Sequence, residues 1–394
     1  MEKQGWDLRM IKKLKILHII GGGEFGGAEQ HILSLMEEFK KRDFITPYVV
    51  TFYEAEFSKK LNELGIEVIV IKDLNRFDFH HLYKELITIF RRIQPDIVHT
   101  HGVRANFFGR LAAKTAKVPL ILTTVHSFLK HDYPKQISWA LAALMNKSTQ
   151  GITHHYVAIS NAIKNDLILS GISKSKVSVI YNGIYVENYS PSEELITKGN
   201  HLRKEWDLPD HAFVIGTTAR LVPVKGLNYL IEGLSISLKK DNALYLVIIG
   251  DGPEKEELIK LSKQLGIEKH IRFVGFRKDV PACLSAIDLY INTSISEGQS
   301  ISLLEAMAAE KPAIVTAVGG MKEMVKDKDT GILIPSQSVE AVANAIQQVK
   351  SDLQLQEQLK TNAKKFVDEQ LSVKIMAQNL IQLYQQLVEG SLRK

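Results

Sequence analysis

The sequence predicts an α/β protein built from two successive doubly wound, Rossmann-like halves, each a parallel sheet with helices on both faces. Three observations predict it. Short apolar runs alternate with stretches of helical spacing from end to end, the pattern of right-handed βαβ units. The series breaks near residue 200 and then starts afresh. The chain has 394 residues, which suits two domains at roughly 100–200 residues each, and each can bury a core.

In the first half, residues 15–20 form a compact apolar run and 29–40 follow at helical spacing. Runs 47–52, 67–71, 96–99, 120–125 and 156–159 continue the strand series, and 82–92 and 104–116 are helical segments between them. The second half opens with strand 213–218 and helix 227–239, then strand 244–249 and helix 254–265. Strands at 271–274, 289–293 and 313–316 follow, each with a helical run behind it. A helix is expected to start near Ser300, and 360–388 predicts one long terminal helix or two. The boundary falls in 182–202, where Asn182-Gly183 is a turn dipeptide and Pro191 stands among polar residues. The domains are accordingly set at 1–195 and 196–374, with a terminal helix at about 375–394 returning to the first.

Composition narrows the function classes. The content is 45% hydrophobic and 24% charged, that of an ordinary globular protein. One cysteine, Cys283, excludes an intrachain disulfide and a cysteine zinc site, and its apolar helical setting makes it a core residue. The N-terminal apolar run covers only residues 16–20 and is interrupted by His18, too short for a signal-peptide core or a membrane span. A cytoplasmic protein is expected. The net charge is +6, and it is local: residues 201–394 balance, whereas 101–150 carry seven Lys and Arg (Arg104, Arg110, Lys114, Lys117, Lys130, Lys135, Lys147) against Asp132. This basic stretch adjoins the apolar run 137–145 with Trp139, a combination that suits shallow contact with anionic lipid as well as an ordinary core helix with a solvated basic face. No nucleic-acid motif accompanies it.

Three constellations carry chemistry. Gly21-Gly22-Gly23-Glu24-Phe25-Gly26-Gly27 follows the first strand, and residues 21, 23 and 26 satisfy G-x-G-x-x-G before a helix, a place for an anion. The acid that a dinucleotide site would want comes late, at Glu54, which disfavours a nicotinamide or flavin cofactor. Arg220 and Lys225, in the loop after the first strand of the second half, offer a planar fork and a mobile point charge that suit a diphosphate. Glu297 and Glu305 flank the start of the helix after strand 289–293. Glu305 stands among Leu303, Leu304, Ala306 and Met307, where a carboxylate that accepts hydrogen bonds from a sugar diol is better explained than a surface acid. His126, His99 and His101 lie at strand ends. Asp327-Lys328-Asp329 spells a D-x-D metal signature but sits in a polar turn, so no metal is expected.

R-x₄-K-G, followed about seventy residues later by Glu297 and Glu305 in E-x₇-E, resembles the retaining glycosyltransferases of family 4. Further matches run in order from about residue 14 to 345. They include Gly26-Gly27-Ala28-Glu29, the D-I-V-H-T-H stretch 96–101, Thr123-Thr124-Val125-His126-Ser127, Ser160, Val179-Ile180-Tyr181-Asn182-Gly183, Gly250-Asp251-Gly252-Pro253, Val274-Gly275-Phe276 and Gly319-Gly320. The resemblance implies the GT-B fold, two Rossmann-like domains facing across a cleft, the first binding the acceptor and the second the nucleotide-sugar donor. It implies that Arg220 and Lys225 hold the donor diphosphate, Glu297 the donor sugar and Glu305 the ribose. His126 would stand near the reacting sugar, Gly22, Gly23, Gly26 and Gly27 by the diphosphate, and Gly275, Phe276 and Arg277 by the base. Gly250, Gly298, Gln299, Ser300 and Ile301 complete the expected donor site. Gln299 and Tyr185 depart from the family, which often has Phe and Asp there. The expected activity is metal-independent, retaining hexosyl transfer from a nucleotide-sugar, a UDP-sugar favoured, to a glycan, lipid-linked or small-molecule hydroxyl acceptor in polysaccharide biosynthesis, with no cofactor. The rivals are a nucleotide-sugar epimerase of the same fold, which the R-x₄-K and E-x₇-E pairing disfavours, and a binding protein that has lost catalysis.

Overall fold

Residues buried on both faces of a sheet form continuous apolar strands, as the runs 120–125, 244–249 and 313–316 of this chain do. A computed structural model describes residues 13–23, 25–71, 79–132 and 136–392. The first twelve residues, where the question of a leader arises, lie outside them, as do Glu24 and Lys135. The chain divides into two compact units, one of residues 1–159, 164–180 and 376–394, the other of 160–163 and 181–375.

The first unit holds a seven-stranded parallel sheet. Its strands are β1 (Leu14–Ile20), β2 (Ile45–Thr51), β3 (Glu67–Val70), β4 (Ile97–His101), β5 (Leu120–Val125), β6 (His155–Ala158) and β7 (Val177–Val179), in the order β3-β2-β1-β4-β5-β6-β7. Its crossovers include α1 (Gly27–Lys40), α2 (Glu56–Glu63), α3 (Phe79–Ile93), α4 (Val103–Thr115), α5 (Leu129–Asp132), α6 (Gln136–Thr149) and α7 (Asn161–Leu169). The strand order reverses between β1 and β4, where His18 pairs with His99. Residues of β4 alternate: Val98 joins a core with Leu86 and Phe108, whereas His99 and His101 point to the other face.

The second unit repeats the plan. α8 (Glu193–Glu205) precedes a six-stranded parallel sheet, β10-β9-β8-β11-β12-β13. Its strands are β8 (Phe213–Thr218), β9 (Leu244–Ile249), β10 (Ile271–Gly275), β11 (Leu289–Asn292), β12 (Ala313–Thr316) and β13 (Ile332–Ile334). Helices α9 (Leu227–Leu238), α10 (Lys255–Gln264), α11 (Val280–Ser285), α12 (Ile301–Ala308), α13 (Met321–Met324), α14 (Val339–Ser351) and α15 (Leu353–Gln370) surround it, and α16 (Val373–Leu392) ends the chain. In β9, Leu246 and Ile248 pack with Leu230 and Ile346, while Val247 and Ile249 pack with Leu303 and Met307 on the opposite face.

A helix begins inside the segment expected to be a polar boundary. Ser192 caps α8 by accepting from the Leu195 amide at 3.2 Å; Glu193 and Glu194 occupy its first turn and Arg203 and Lys204 its last, matching the helix dipole. Residues 181–195 fall in the second unit, where Ile184 and Val186 share a core with Trp206 and Val214. Strands β7 and β13 escape the sequence reading because three residues carry no periodicity. Asp327-Lys328-Asp329 is the expected turn, with Lys328 at φ 59° and both carboxylates engaged: Asp327 accepts from the Leu333 amide, Asp329 from Asn362. Cys283 is fully buried in α11, where burial pushes its thiol up to about 12.

Candidate functional site

Open α/β sheets bind ligands beyond the strand ends where the strand order reverses. In the second unit that point lies between β8 and β11. The loop after β8 carries Arg220, exposed, and closes in a short turn, Pro223–Lys225. Gly226 follows at φ 59°, with Thr293 so close that a Cβ would lie 2.5 Å from its carbonyl oxygen. Only glycine satisfies both conditions. The Ile295 amide donates to the Val224 carbonyl at 2.8 Å and Thr293 Oγ1 to the Lys225 carbonyl at 3.3 Å, which stitches the loop to the one after β11.

That stitching brings Lys225 Nζ into an ion pair with Glu297 Oε1, and Ser294 Oγ donates to the same oxygen at 2.9 Å. Both partners are largely shielded, with side-chain exposures of 25% and 11%. A cation and a carboxylate sit together, and Arg220 stands five residues before the lysine on the same loop. The Glu297 carbonyl accepts from the Gly320 amide at 3.1 Å, and a Cβ on Gly320 would collide with the Gly298 carbonyl.

Helix α12 starts where expected. Ser300 caps it by accepting from the Leu303 amide at 3.3 Å, and Ile301 is its first residue. Glu305, one turn on, accepts a hydrogen bond from Tyr189 Oη at 2.7 Å. Burial pushes its carboxyl up to about 7, and the Tyr189 bond pulls the other way. Tyr290, on β11, is pushed up by burial first, with Glu305 and Glu297 adding to the rise, so both carboxylates act on one place. Gln299 is buried and spends its amide on the main chain of Asn182: its Oε1 accepts from the Asn182 amide at 2.6 Å and its Nε2 donates to the carbonyl at 3.2 Å.

The loops after β9 and β10 brace the Arg220 loop from the other side. Gly250, at φ 136°, lies against Ala219, and a Cβ there would be 1.9 Å from the Ala219 carbonyl oxygen. The Leu221 amide donates to the Asp251 carbonyl at 2.9 Å, and the Gly250 amide to the Gly275 carbonyl at 2.8 Å. Phe276 then projects into solvent, 64% exposed. Arg277 is held by Asp279 and Glu205, at 2.7 and 3.0 Å.

In the first unit, Gly22 takes φ 73° and packs against Thr51, Gly23 lies beside the Tyr53 ring, and Gly26 caps α1, which Gly27 begins. The Glu29 carboxylate turns back to the Gly26 amide at 3.1 Å. His126 follows β5 and is half-buried, whereas His18, His99 and His101 are buried. The basic stretch divides: Arg110 is buried, bonded to Thr123 and Thr149, while Lys114, Lys117, Lys130 and Lys147 are exposed. Beside them α6 buries only Ala142 and Thr149 and exposes Ile137, Leu141 and Leu144 at 86%, 59% and 67%. Three large apolar side chains of this helix thus face outward, while Met145 packs against the core.

Sequence reasoning missed Tyr189 and Ser294. Ser294 could have been found as a hydroxyl three residues before an acid in a loop. Tyr189 stands 116 residues from Glu305, and no spacing signals it.

Two family models tile the chain: Glycosyltransferase Family 4 matches residues 25–188 and Glycosyl transferases group 1 matches residues 200–366. The UDP-Gal:alpha-D-GlcNAc-diphosphoundecaprenol alpha-1,3-galactosyltransferase of Escherichia coli is 28% identical over 277 residues, 68% of this chain and 70% of that protein. The capsular polysaccharide biosynthesis glycosyltransferase CapM of Staphylococcus aureus is 25% identical over 361 residues, 90% of this chain and 93% of that one. The crystal structure of Anabaena Alr3699/HepE in complex with UDP-glucose superposes with a TM-score of 0.84 at 24% identity, covering 95% of this chain and all of that one, and shares the GT-B fold.

Proposed function

The chain belongs to the group 1, family 4 glycosyltransferases, and from that membership we propose that it moves a hexosyl unit from a UDP-sugar to a hydroxyl acceptor with retention of anomeric configuration. The observation that carries the reading is the Lys225–Glu297 pair at the β8/β11 reversal, with Arg220 on the same loop. The anomeric C–O bond breaks, and its electron pair moves to the β-phosphate oxygen. Arg220 and Lys225 balance the charge that grows there, the place where fixed charges lower a barrier most. Two side-chain cations at hand make a metal ion unnecessary. The acceptor hydroxyl attacks the face the phosphate leaves, and the departing phosphate oxygen takes its proton. Glu297 accepts hydrogen bonds from the donor sugar and Glu305 from the ribose diol. Phe276 and Arg277 border the base, with Gly250, Gly275, Gly298, Gln299, Ser300 and Ile301 shaping the pocket around the donor. His126 meets the sugar, and Gly22, Gly23, Gly26 and Gly27 the diphosphate. A UDP donor is supported by the E. coli relative's name and by the ligand in the Anabaena structure.

A panel of UDP-, GDP- and ADP-sugars scored by thermal shift and donor hydrolysis tests this. One UDP-sugar is expected to stabilise the protein by about 2.7 kcal/mol at a hundredfold excess over Kd and to be turned over. Because Glu305 ionises near 7, its carboxylate gains acceptor strength as pH rises through that value. Donor binding should therefore tighten between about pH 6 and about pH 8, and Glu305→Gln should abolish the dependence. Turnover of a GDP- or ADP-sugar alone, or of none, sinks the proposal.

The acceptor is proposed to be a lipid-linked glycan precursor, with the protein held peripherally at the inner face of the membrane by α6. None of the described helices is long and apolar enough to cross a bilayer. The exposed Ile137, Leu141 and Leu144 beside Lys130 and Lys147 suit shallow insertion among anionic headgroups. Co-sedimentation with phosphatidylglycerol vesicles at low salt should be strong and lost in Leu141→Glu/Leu144→Glu. Equal sedimentation of both proteins rejects this attachment.

A further inference from the structure

One face of the first sheet, at the β1/β4 reversal, carries a run of ring nitrogens and hydroxyls in continuous hydrogen-bond contact. His126 Nε2 lies 2.9 Å from His101 Nδ1, and His101 Nε2 lies 2.9 Å from His18 Nδ1. His18 Nε2 faces Tyr384 Oη at 3.3 Å, Tyr384 Oη faces His99 Nδ1 at 2.6 Å, and His99 Nε2 faces Thr124 Oγ1 at 2.7 Å. Five side chains of the six are buried, and His126, half-buried, forms the accessible end. The residues come from β1, β4, β5 and the position just after it, and α16, so register and the docking of the last helix assemble them.

We propose that these contacts form one directed chain that holds His126 as its Nε2–H tautomer and presents Nδ1 as a bare hydrogen-bond acceptor. Each neutral imidazole has one donor and one acceptor nitrogen, so each link fixes the polarity of the next. Tyr384 has one proton and two nitrogens within reach. Hydroxyl donors make shorter bonds than ring N–H donors, so its proton goes to His99 Nδ1 at 2.6 Å and not to His18 Nε2 at 3.3 Å. His99 then carries its proton on Nε2 and donates to Thr124. The Tyr384 oxygen accepts from His18 Nε2–H, His18 Nδ1 accepts from His101 Nε2–H, and His101 Nδ1 accepts from His126 Nε2–H. The rings stay neutral because burial drives His18 down to about 3 and His99, His101 and His126 well below the usual histidine range, while it raises Tyr384. The ring nitrogens of His18, His99 and His101 come within 4.8 Å of one another, a spacing that a metal ion could also bridge, yet each is already opposed by a partner in the chain. His101, His18 and Tyr384 are thus positioning residues. The consequence for catalysis, that Nδ1 accepts from a sugar hydroxyl, rests on the role given above to His126.

Nitrogen-15 NMR of histidine-labelled full-length protein, with His126 assigned by its loss in His126→Gln, tests the chain directly. The expected spectrum shows His126 Nδ1 as a bare, pyridine-type nitrogen and Nε2 as a protonated, pyrrole-type one; the reverse overturns the proposal. Tyr384→Phe cuts the chain at its centre. It should yield a mixture of both His126 tautomers and a roughly 10–100-fold lower kcat at unchanged donor KM, by analogy with partners that orient a metal-bound histidine. An unchanged tautomer in that variant overturns the proposal, and if the variant fails to fold, the wild-type spectrum still decides. Stoichiometric Zn²⁺ binding that shifts His18, His99 and His101 together also overturns it. Full turnover by His126→Gln would remove the catalytic role of His126 and leave the spectrum to judge the chain.

Discussion

Arg220→Ala and Lys225→Ala each lower kcat on the native donor by roughly 10²–10³, the loss seen when one fixed donor to a developing oxyanion is removed. The two variants separate chemistry from stability. Arg220 is exposed, so its truncation should cost less stability than that of Lys225. Lys225 is a shielded partner of Glu297, and its removal leaves a carboxylate without its cation, at a cost of about 1–3 kcal/mol. Equal kinetic losses with unequal melting temperatures would mark a shared role in charge stabilisation. The double variant should lose less than the product of the two, because both groups act on one charge. Steady-state kinetics with the donor found in the panel measure all three. Full turnover by either single variant contradicts the mechanism.

Gly250→Ala should destabilise the second unit by about 2–5 kcal/mol and disable turnover at temperatures where the protein remains folded. At φ 136° any side chain strains the main chain, and the new Cβ would lie 1.9 Å from the Ala219 carbonyl oxygen. Relief requires that Ala219 move, and Arg220 is the next residue. Gly266→Ala is the control: its φ is 68° but no atom lies within 4 Å of the added carbon, so only the strain of a left-handed residue remains, about 1–2 kcal/mol. Urea unfolding and donor hydrolysis compare the pair. A Gly250→Ala protein that unfolds and turns over like Gly266→Ala would show that the loop yields freely.

The repeated doubly wound plan was legible because its signal is local. An apolar run such as Leu244–Ile249 is apolar because both its faces are covered, and that needs no knowledge of its neighbours. The helix start at Ser300 was legible for the same reason, since a cap is made within three residues. Arg220, Lys225 and Glu297 could be named as candidates from strand-end position, residue type and spacing. The helix that begins inside 182–202 was hidden by its polar composition: its formation draws on caps and a dipole match, and its few buried positions, Gly199 and Leu202, are too sparse to mark a face.

Sequence by itself determined the two-sheet class, the family and the candidates at the ends of strands, because backbone periodicity and loop chemistry are written in adjacent residues. Tertiary structure alone decided what each candidate touches. Tyr189 reaches Glu305, Gln299 is spent on Asn182, Arg110 is buried, α6 turns Ile137, Leu141 and Leu144 outward, and a tyrosine 366 residues from His18 closes a chain of histidines. Such pairings depend on strand order and helix docking, which bring together side chains with no relation in sequence, and hydrogen bonds are decided over a few tenths of an ångström.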